Sequence, residues 1–199
     1  MDELYMRIII KILSIFVVLI CMLACNNDKS ETKNSQSRAT MTQRPLSENP
    51  YIGLRNQAMA ATHEQLGLQL NKDDDIYGII MDWNMDDVIV TVVAFKTGDT
   101  SVYLSSGQAF IGGYAHDSVV RAARRFIAKG SLYLHKASQT VSTIPANKGK
   151  TGFYIFTKAR KYYIEDNSAK IEQNQSELSD LFSAANDVIT EYRLITDRK

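Results

Sequence analysis

Only four residues, Asn84 to Asp87, separate two runs rich in β-branched and aromatic side chains, Ile76–Trp83 and Val88–Lys96. Such runs read as strands. Two strands joined by so short a link have to lie antiparallel, because a parallel pair needs a crossover of a dozen residues or more. The second run is apolar on both alternating sets, Val88, Val90 and Val92 against Ile89, Val93 and Phe95. A strand without a polar face belongs inside a sheet covered on both sides, or has a helix over its outer face. A third, shorter run, Ser101–Ser105, follows the turn Thr97–Asp99 that carries Gly98.

Helical spacing brackets these strands. Asn49-Pro50 has the form of an N-cap followed by proline at the first helical position. The helix it starts runs to about Ala61, with Ile52, Leu54, Ala58, Met59 and Ala61 as its apolar residues. Thr62 and Gln65 then form a capping box that Gly67 closes. A second helix is expected from Asp117 to Ala137, where Val120, Ala123, Ile127, Leu134 and Ala137 recur at helical spacing. Strands at Phe153–Lys158 and Tyr162–Glu165 meet at a short basic turn, and a last helix spans Ser179–Ile195 with Leu181, Ala185, Val188, Tyr192 and Ile195 as its stripe. The expected fold class is α+β: a single mostly antiparallel sheet of about five strands flanked by helices, in the order α-β-β-β-α-β-β-α.

Ahead of this lies a different kind of sequence. Ile12 to Ala24 carries no charge and follows Arg7 and Lys11. Those thirteen residues fall short of the roughly 20 that a membrane-crossing helix needs, and match the apolar region of an export signal. Met6 gives a better start than Met1, since Asp2 and Glu3 spoil the positive flank. The run ends Met22-Leu23-Ala24-Cys25, which resembles the lipobox of bacterial lipoproteins, with Met22 where that family usually has Leu. The resemblance implies lipidation of Cys25 and cleavage before it. Residues 26 to 49 are Asn, Ser, Thr, Gln, Lys and Glu with hardly an apolar side chain, a composition that buries too little surface to order itself. The expected division is a signal peptide at 1–24, a lipidated cysteine and tether at 25–49, and one domain at 50–199. Its expected address is the cell envelope, on the exported side of the membrane. Cys21 and Cys25 are the only cysteines, so the domain has no disulfide and no thiolate chemistry.

Five segments resemble a family of uncharacterised bacterial proteins of about this domain length: Asn49-Pro50 through Ala61, Tyr77–Trp83, Phe95–Asp99, Tyr103–Gly107 running on to Gly112-Gly113, and Val188–Glu191. The resemblance covers residues 49 to 195. It implies domain limits, and it brings no activity with it.

The segment Ser105-Ser106-Gly107-Gln108-Ala109-Phe110-Ile111-Gly112-Gly113-Tyr114-Ala115-His116 is the first candidate site. A glycine loop between a strand and a helix can present backbone N–H groups to a ligand. Gly107 and Gly112 have the gap of a Walker loop, but Gly113 and Tyr114 replace its Lys and Ser/Thr. Lys148-Gly149-Lys150-Thr151 has Ile144 where the first Walker glycine belongs, and a strand follows it. Asp82-Trp83-Asn84-Met85-Asp86-Asp87 opens like a calcium loop, yet lacks the sixth-position glycine and ends on Val93 instead of the bidentate Glu. His63, His116 and His135 are scattered. No metal site and no cofactor are expected.

Charge is segregated: residues 116 to 163 hold ten Lys/Arg and one Asp, while both flanks are acidic. Arg121, Arg124, Arg125 and Lys136 would form a basic surface facing an anionic envelope surface, unless acidic neighbours neutralise it. Nucleic acid is not an expected partner for an exported protein. Two functions remain. One is an interaction module that binds a protein, peptide or small molecule through Ser105, Ser106, Gly107, Gly112, Gly113 and His116. The other is a small hydrolytic or transfer enzyme using Asp82, His116 and Ser105 or Ser106, which requires these groups within reach in one cleft.

Overall fold

A computed structural model describes residues 49–197; the expectations for residues 1–24 and the tether 25–48 lie outside the described residues. Helix α1 (Pro50–Ala60) starts as its sequence requires, with the Asn49 side chain accepting from the Tyr51 amide at 3.0 Å and Pro50 at the first position. The capping box after it is reciprocal: Thr62 N–H donates to Gln65 Oε1 at 3.0 Å, and Gln65 N–H to Thr62 Oγ1 at 3.3 Å. Gly67 follows at φ +68°, in the region that favours glycine.

Strands β1 (Ile76–Asn84), β2 (Ile89–Phe95), β3 (Thr100–Leu104) and β4 (Ala109–Phe110) precede α2 (Asp117–Ser131). After it come β5 (Ser138–Thr140), β6 (Lys150–Thr157), β7 (Lys161–Asn167), α3 (Ser168–Glu172) and α4 (Ser179–Thr196). All seven strands form one sheet in the order β4-β3-β2-β1-β6-β7-β5, and every neighbouring pair is antiparallel. The α+β class and the antiparallel sheet are as expected. The strand number and order are not: the chain runs α-β-β-β-β-α-β-β-β-α-α. The additional strands, β4 and β5, have two and three residues, too few to show an alternation. Both lie at sheet edges with exposed or half-buried side chains, where no hydrophobic pattern is imposed.

Helix α2 ends at Ser131 instead of Ala137, and Leu134–Lys136 form a separate 3-10 turn. Its buried residues are Val119, Ala122, Ala123, Phe126 and Gly130, while Val120 and Ile127 are half-buried at the margins. Small residues set this orientation: a Cβ at Gly130 would lie 2.7 Å from Ile79 Cδ1, so the helix axis approaches the sheet where side-chain bulk is least. Helix α4 buries Leu181, Ala185, Val188 and Tyr192 of its expected stripe, with Ile195 at the margin.

The sheet is covered on both faces. Under α2 and α4, Ile79, Met81, Val90, Val92, Ala94, Phe153 and Ile155 meet Phe126, Leu181 and Val188 in one apolar cluster. On the opposite face Tyr77, Ile80, Val93, Phe95, Tyr103, Tyr154 and Phe156 pack under α1 through Tyr51, Ala58 and Met59. No helix among the described residues is long and apolar enough to cross a membrane.

Candidate functional site

Helix α1 buries an arginine. Its inner side is Tyr51, Arg55, Ala58 and Met59, whereas Ile52 is exposed. Arg55 is 1% exposed and meets Asp82 of β1, which is 0% exposed. Nε donates to both carboxylate oxygens, at 3.0 and 3.2 Å, and Nη2 to Oδ2 at 2.5 Å. The fork-on-carboxylate geometry is the strong form of this pair. Thr91 Oγ1 donates to Asp82 Oδ1 at 2.6 Å, and the Tyr51 hydroxyl lies 3.0 Å from Thr91 Oγ1. Burial pulls the Arg55 guanidinium down, and its bonds to Asp82 more than restore it, so the net direction is up. Burial pushes the Tyr51 hydroxyl up to about 12.

The same network fastens the segment 141–149 over this face. Arg55 Nη1 donates to Thr143 O at 2.5 Å, the Tyr154 hydroxyl to Ile144 O, and Asn84 Nδ2 to Ala146 O at 2.8 Å. Three buried side chains thus hold three backbone carbonyls, those of Thr143, Ile144 and Ala146, of one strap. Asp82 has its carboxylate fully engaged, which removes the first ligand of the calcium-like loop; Asp86 of that loop takes a turn with φ +67°. Among the described residues no cluster of three or more His, Cys, Asp or Glu could hold a metal ion.

The glycine segment divides into two turns. Gly107, at φ +104°, closes the β3–β4 hairpin, in which Leu104 N–H donates to Gln108 O at 2.9 Å. Ser105 is bound into the same corner: its Oγ accepts from the Ile89 amide at 2.8 Å and its carbonyl from Asn49 Nδ2 at 2.6 Å. Ser106 is exposed at the hairpin tip. Gly112, at φ +84°, and Gly113 lead into the 3-10 turn Gly113–Ala115 before His116, which precedes α2. Gly113 is buried: a Cβ there would meet the Tyr192 hydroxyl, Val119 Cγ1 at 2.8 Å and Thr100 Cβ at 3.0 Å. Its glycine serves close packing.

The structure does not bring the acid, the histidine and the serines together. Asp82 lies under α1, and His116 stands at the start of α2, which covers the other face. Ser105 sits at one end of β3, while Gly113, beside His116, packs on Thr100 at the other.

Two hollows flank the end of α1 instead. One, of about 300 Å³, is apolar, lined by Leu54, Ala58, Val93, Phe95, Tyr103 and Ile111 among others. Ile111 comes from the glycine segment and is 62% exposed. The other, of about 470 Å³, is polar and lies between the turn after α1, the end of β5 and the β6–β7 turn. Sequence reasoning marked the β6–β7 turn as basic but had no means of pairing it with residues a hundred positions earlier.

The basic surface is answered in part, for Arg125 and Lys136 of its four expected residues, by acids of α4 and of the turn before it. Lys136 meets Glu177 at 2.6 Å, Lys129 meets Asp180 at 3.2 Å and Arg125 meets Asp187 at 3.7 Å. Arg121 and Arg124 are exposed and take part in no ion pair among the described residues. No protein-family model, no curated protein and no solved structure matches the chain.

Proposed function

We propose that this chain is an envelope-anchored lipoprotein whose α+β domain is a binding module, taking an extended apolar peptide on the groove beside Ile111. The single observation that carries the reading is the apolar groove itself: a large exposed side chain of the glycine segment stands at the rim of a hollow walled by Leu54, Ala58, Val93, Phe95 and Tyr103. Binding sites are concave and mostly apolar with few polar groups. Beside the groove, β4 ends the sheet, and among the described residues nothing pairs with its outer edge. An open edge offers backbone donors and acceptors to an added strand, and an adjoining pocket takes alternate side chains. The hydrolytic alternative has no such support, because its groups occupy different faces and ends of the sheet.

Two experiments test the parts separately. Cys25→Ser should release the protein from the membrane fraction; retention in the pellet would remove the lipid anchor. For the groove, a neutral apolar fluorophore should bind the unlipidated chain saturably. Ile111→Asn with Leu54→Asn should weaken it by about tenfold, the loss of roughly 1.4 kcal/mol of apolar contact. Equal affinity in wild type and double variant would sink the groove as a binding surface.

A further inference from the structure

We infer that the polar hollow beside the β6–β7 turn is a binding site for a small phosphate-bearing anion. It is lined by the turn after α1 and by no residue of the apolar groove, and the inference does not rest on that groove's role.

Three segments distant in sequence build it: Thr62–Glu64, Gln139–Val141 and Thr157–Lys161, with Tyr77 at its base. Its volume of about 470 Å³ falls in the size class of small-molecule sites. Lys158, Arg160 and Lys161 bring three positive charges to the wall, against one carboxylate, Glu64. None of these three cations is ion-paired among the described residues. Lys158 Nζ reaches only the Asn71 carbonyl, at 3.4 Å. Lys161 Nζ lies 2.6 Å from Met59 O and 5.4 Å from the centre of the Phe156 ring. The Glu64 carboxylate is occupied with His63 Nε2 at 2.9 Å.

The backbone that carries the cations is held in place before any ligand arrives. Thr157 N–H donates to Arg160 O at 2.9 Å and Arg160 N–H to Thr157 Oγ1 at 3.1 Å, closing the turn. Lys158 N–H and Ala159 N–H donate to Asp75 O and Asp73 O, at 3.0 and 3.1 Å. A rigid turn spares a ligand the entropy of ordering it. Nearby Asp75 spends its carboxylate on the Asn71 and Lys72 amides. One feature marks the site as incomplete. Lys161 is half-buried without a counter-charge, a costly state for an ammonium.

The chemistry selects the ligand class. Arginine's planar fork suits phosphate oxygens bidentately, and lysines add point charge. Three cations match a dianionic monoester, while Thr62, Gln139 and Thr140 can bond the ester's hydroxyl groups. The phosphate could belong to a soluble ester or to a lipid headgroup.

Calorimetry of the full chain in neutral detergent separates these. The probes are glycerol 3-phosphate and dihexanoyl phosphatidic acid, with glycerol and dihexanoyl phosphatidylcholine as their respective controls. Saturable binding of a phosphate monoester is expected, weakened about tenfold or more in Lys158→Ala/Arg160→Ala, since charged hydrogen bonds are lost. Both positions are at or near the surface, so the variant should keep the wild-type circular dichroism spectrum. Arg121→Ala/Arg124→Ala should bind as wild type. Equal affinity for the two probes assigns a soluble ester; clear preference for the lipid assigns a headgroup. No saturable heat from either probe at millimolar concentration, or equal loss in both double variants, would overturn the site.

Discussion

Against one face of the sheet lie α2 and α4, and among the described residues no charged side chain is buried between them and the strands. Against the other lie α1 and the 141–149 strap, where Arg55 and Asp82 are the buried charged residues of the fold. The two covers are attached by different forces. Apolar contact is non-directional and scales with area, so α2 and α4 are located by side-chain size, as the approach of Gly130 to Ile79 shows. The α1 face is located by directed bonds: Arg55 fixes the helix to β1 and the strap to both. Both hollows open on this second face, beside α1 or the turn that follows it.

The difference is sharpest under substitutions that conserve volume. Arg55→Met leaves Asp82 buried without its partner and should cost about 3–5 kcal/mol, measured by urea unfolding. Ile155→Leu, at a 0% exposed site on the apolar face, should cost less than about 1.5 kcal/mol. Comparable losses would mean that the two faces are held alike. Replacing both partners, Arg55→Met with Asp82→Leu, should recover part of the loss, since no charge is then left unpaired.

High pH should act next, on the α1 face through Tyr51 and Tyr77 and on the other through Tyr192 of α4, whose hydroxyl burial also raises. Burial raises Tyr51 to about 12 and, as the larger of its causes, Tyr77 to about 12, from an ordinary 10.0. A hydroxyl whose folded value is raised stays protonated in the fold while the unfolded chain ionises. Its contribution is therefore complete below about pH 10 and is lost as pH rises towards 12. Each should be worth on the order of 2 kcal/mol. Unfolding curves at about pH 9 and pH 11.5 should show the decline, and Tyr77→Phe should flatten it. An unchanged slope in that variant would exclude Tyr77 as a cause.

What was readable in the sequence follows the same division. The long strands, the Asn49-Pro50 start, the Thr62–Gln65 capping box and the α4 stripe are local or periodic signals, and each is where the residues put it. Helix α1 misled because its apolar residues do not share one face: Ile52 is exposed, and Arg55, which no apolar pattern marks, is buried. A charged residue inside the apolar run Ile79-Ile80-Met81-Asp82 was the one available sign of a buried partner. The glycine segment was expected as one loop between strand and helix, but it contains β4, and its glycines divide between two turns and a tight packing contact that no spacing reveals. The basic hollow needs three segments at once, which only the fold supplies.

Gly113 tests the packing reading of that segment. A methyl group there would press on Val119 and Thr100, and overpacking of this kind costs about 1–3 kcal/mol. Gly113→Ala should lower the urea midpoint accordingly, with Tyr192→Phe, which removes the hydroxyl in its way and the bond to Thr100 O, only partly suppressing the effect. A neutral Gly113→Ala would mean that the turn can yield. On the opposite face Asn49→Ala removes one cap bond and the tie to Ser105 O, and should cost about 1 kcal/mol.

The smallest effect belongs to the charges on the outside of α2, α4 and the turns beside them. Lys136–Glu177 and Arg125–Asp187 lie in solvent, where screening and side-chain entropy leave a pair worth about 0–1 kcal/mol. Lys136→Ala should therefore change stability by less than about 0.5 kcal/mol at physiological salt, and by less again near 1 M, where the screening length is about 3 Å. A loss as large as that of Asn49→Ala, or one that grew with salt, would place a charge pair among the forces holding the apolar face, beside the neutral bond from Tyr192 to Thr100 O. The α1 face would then no longer be the only one located by charge.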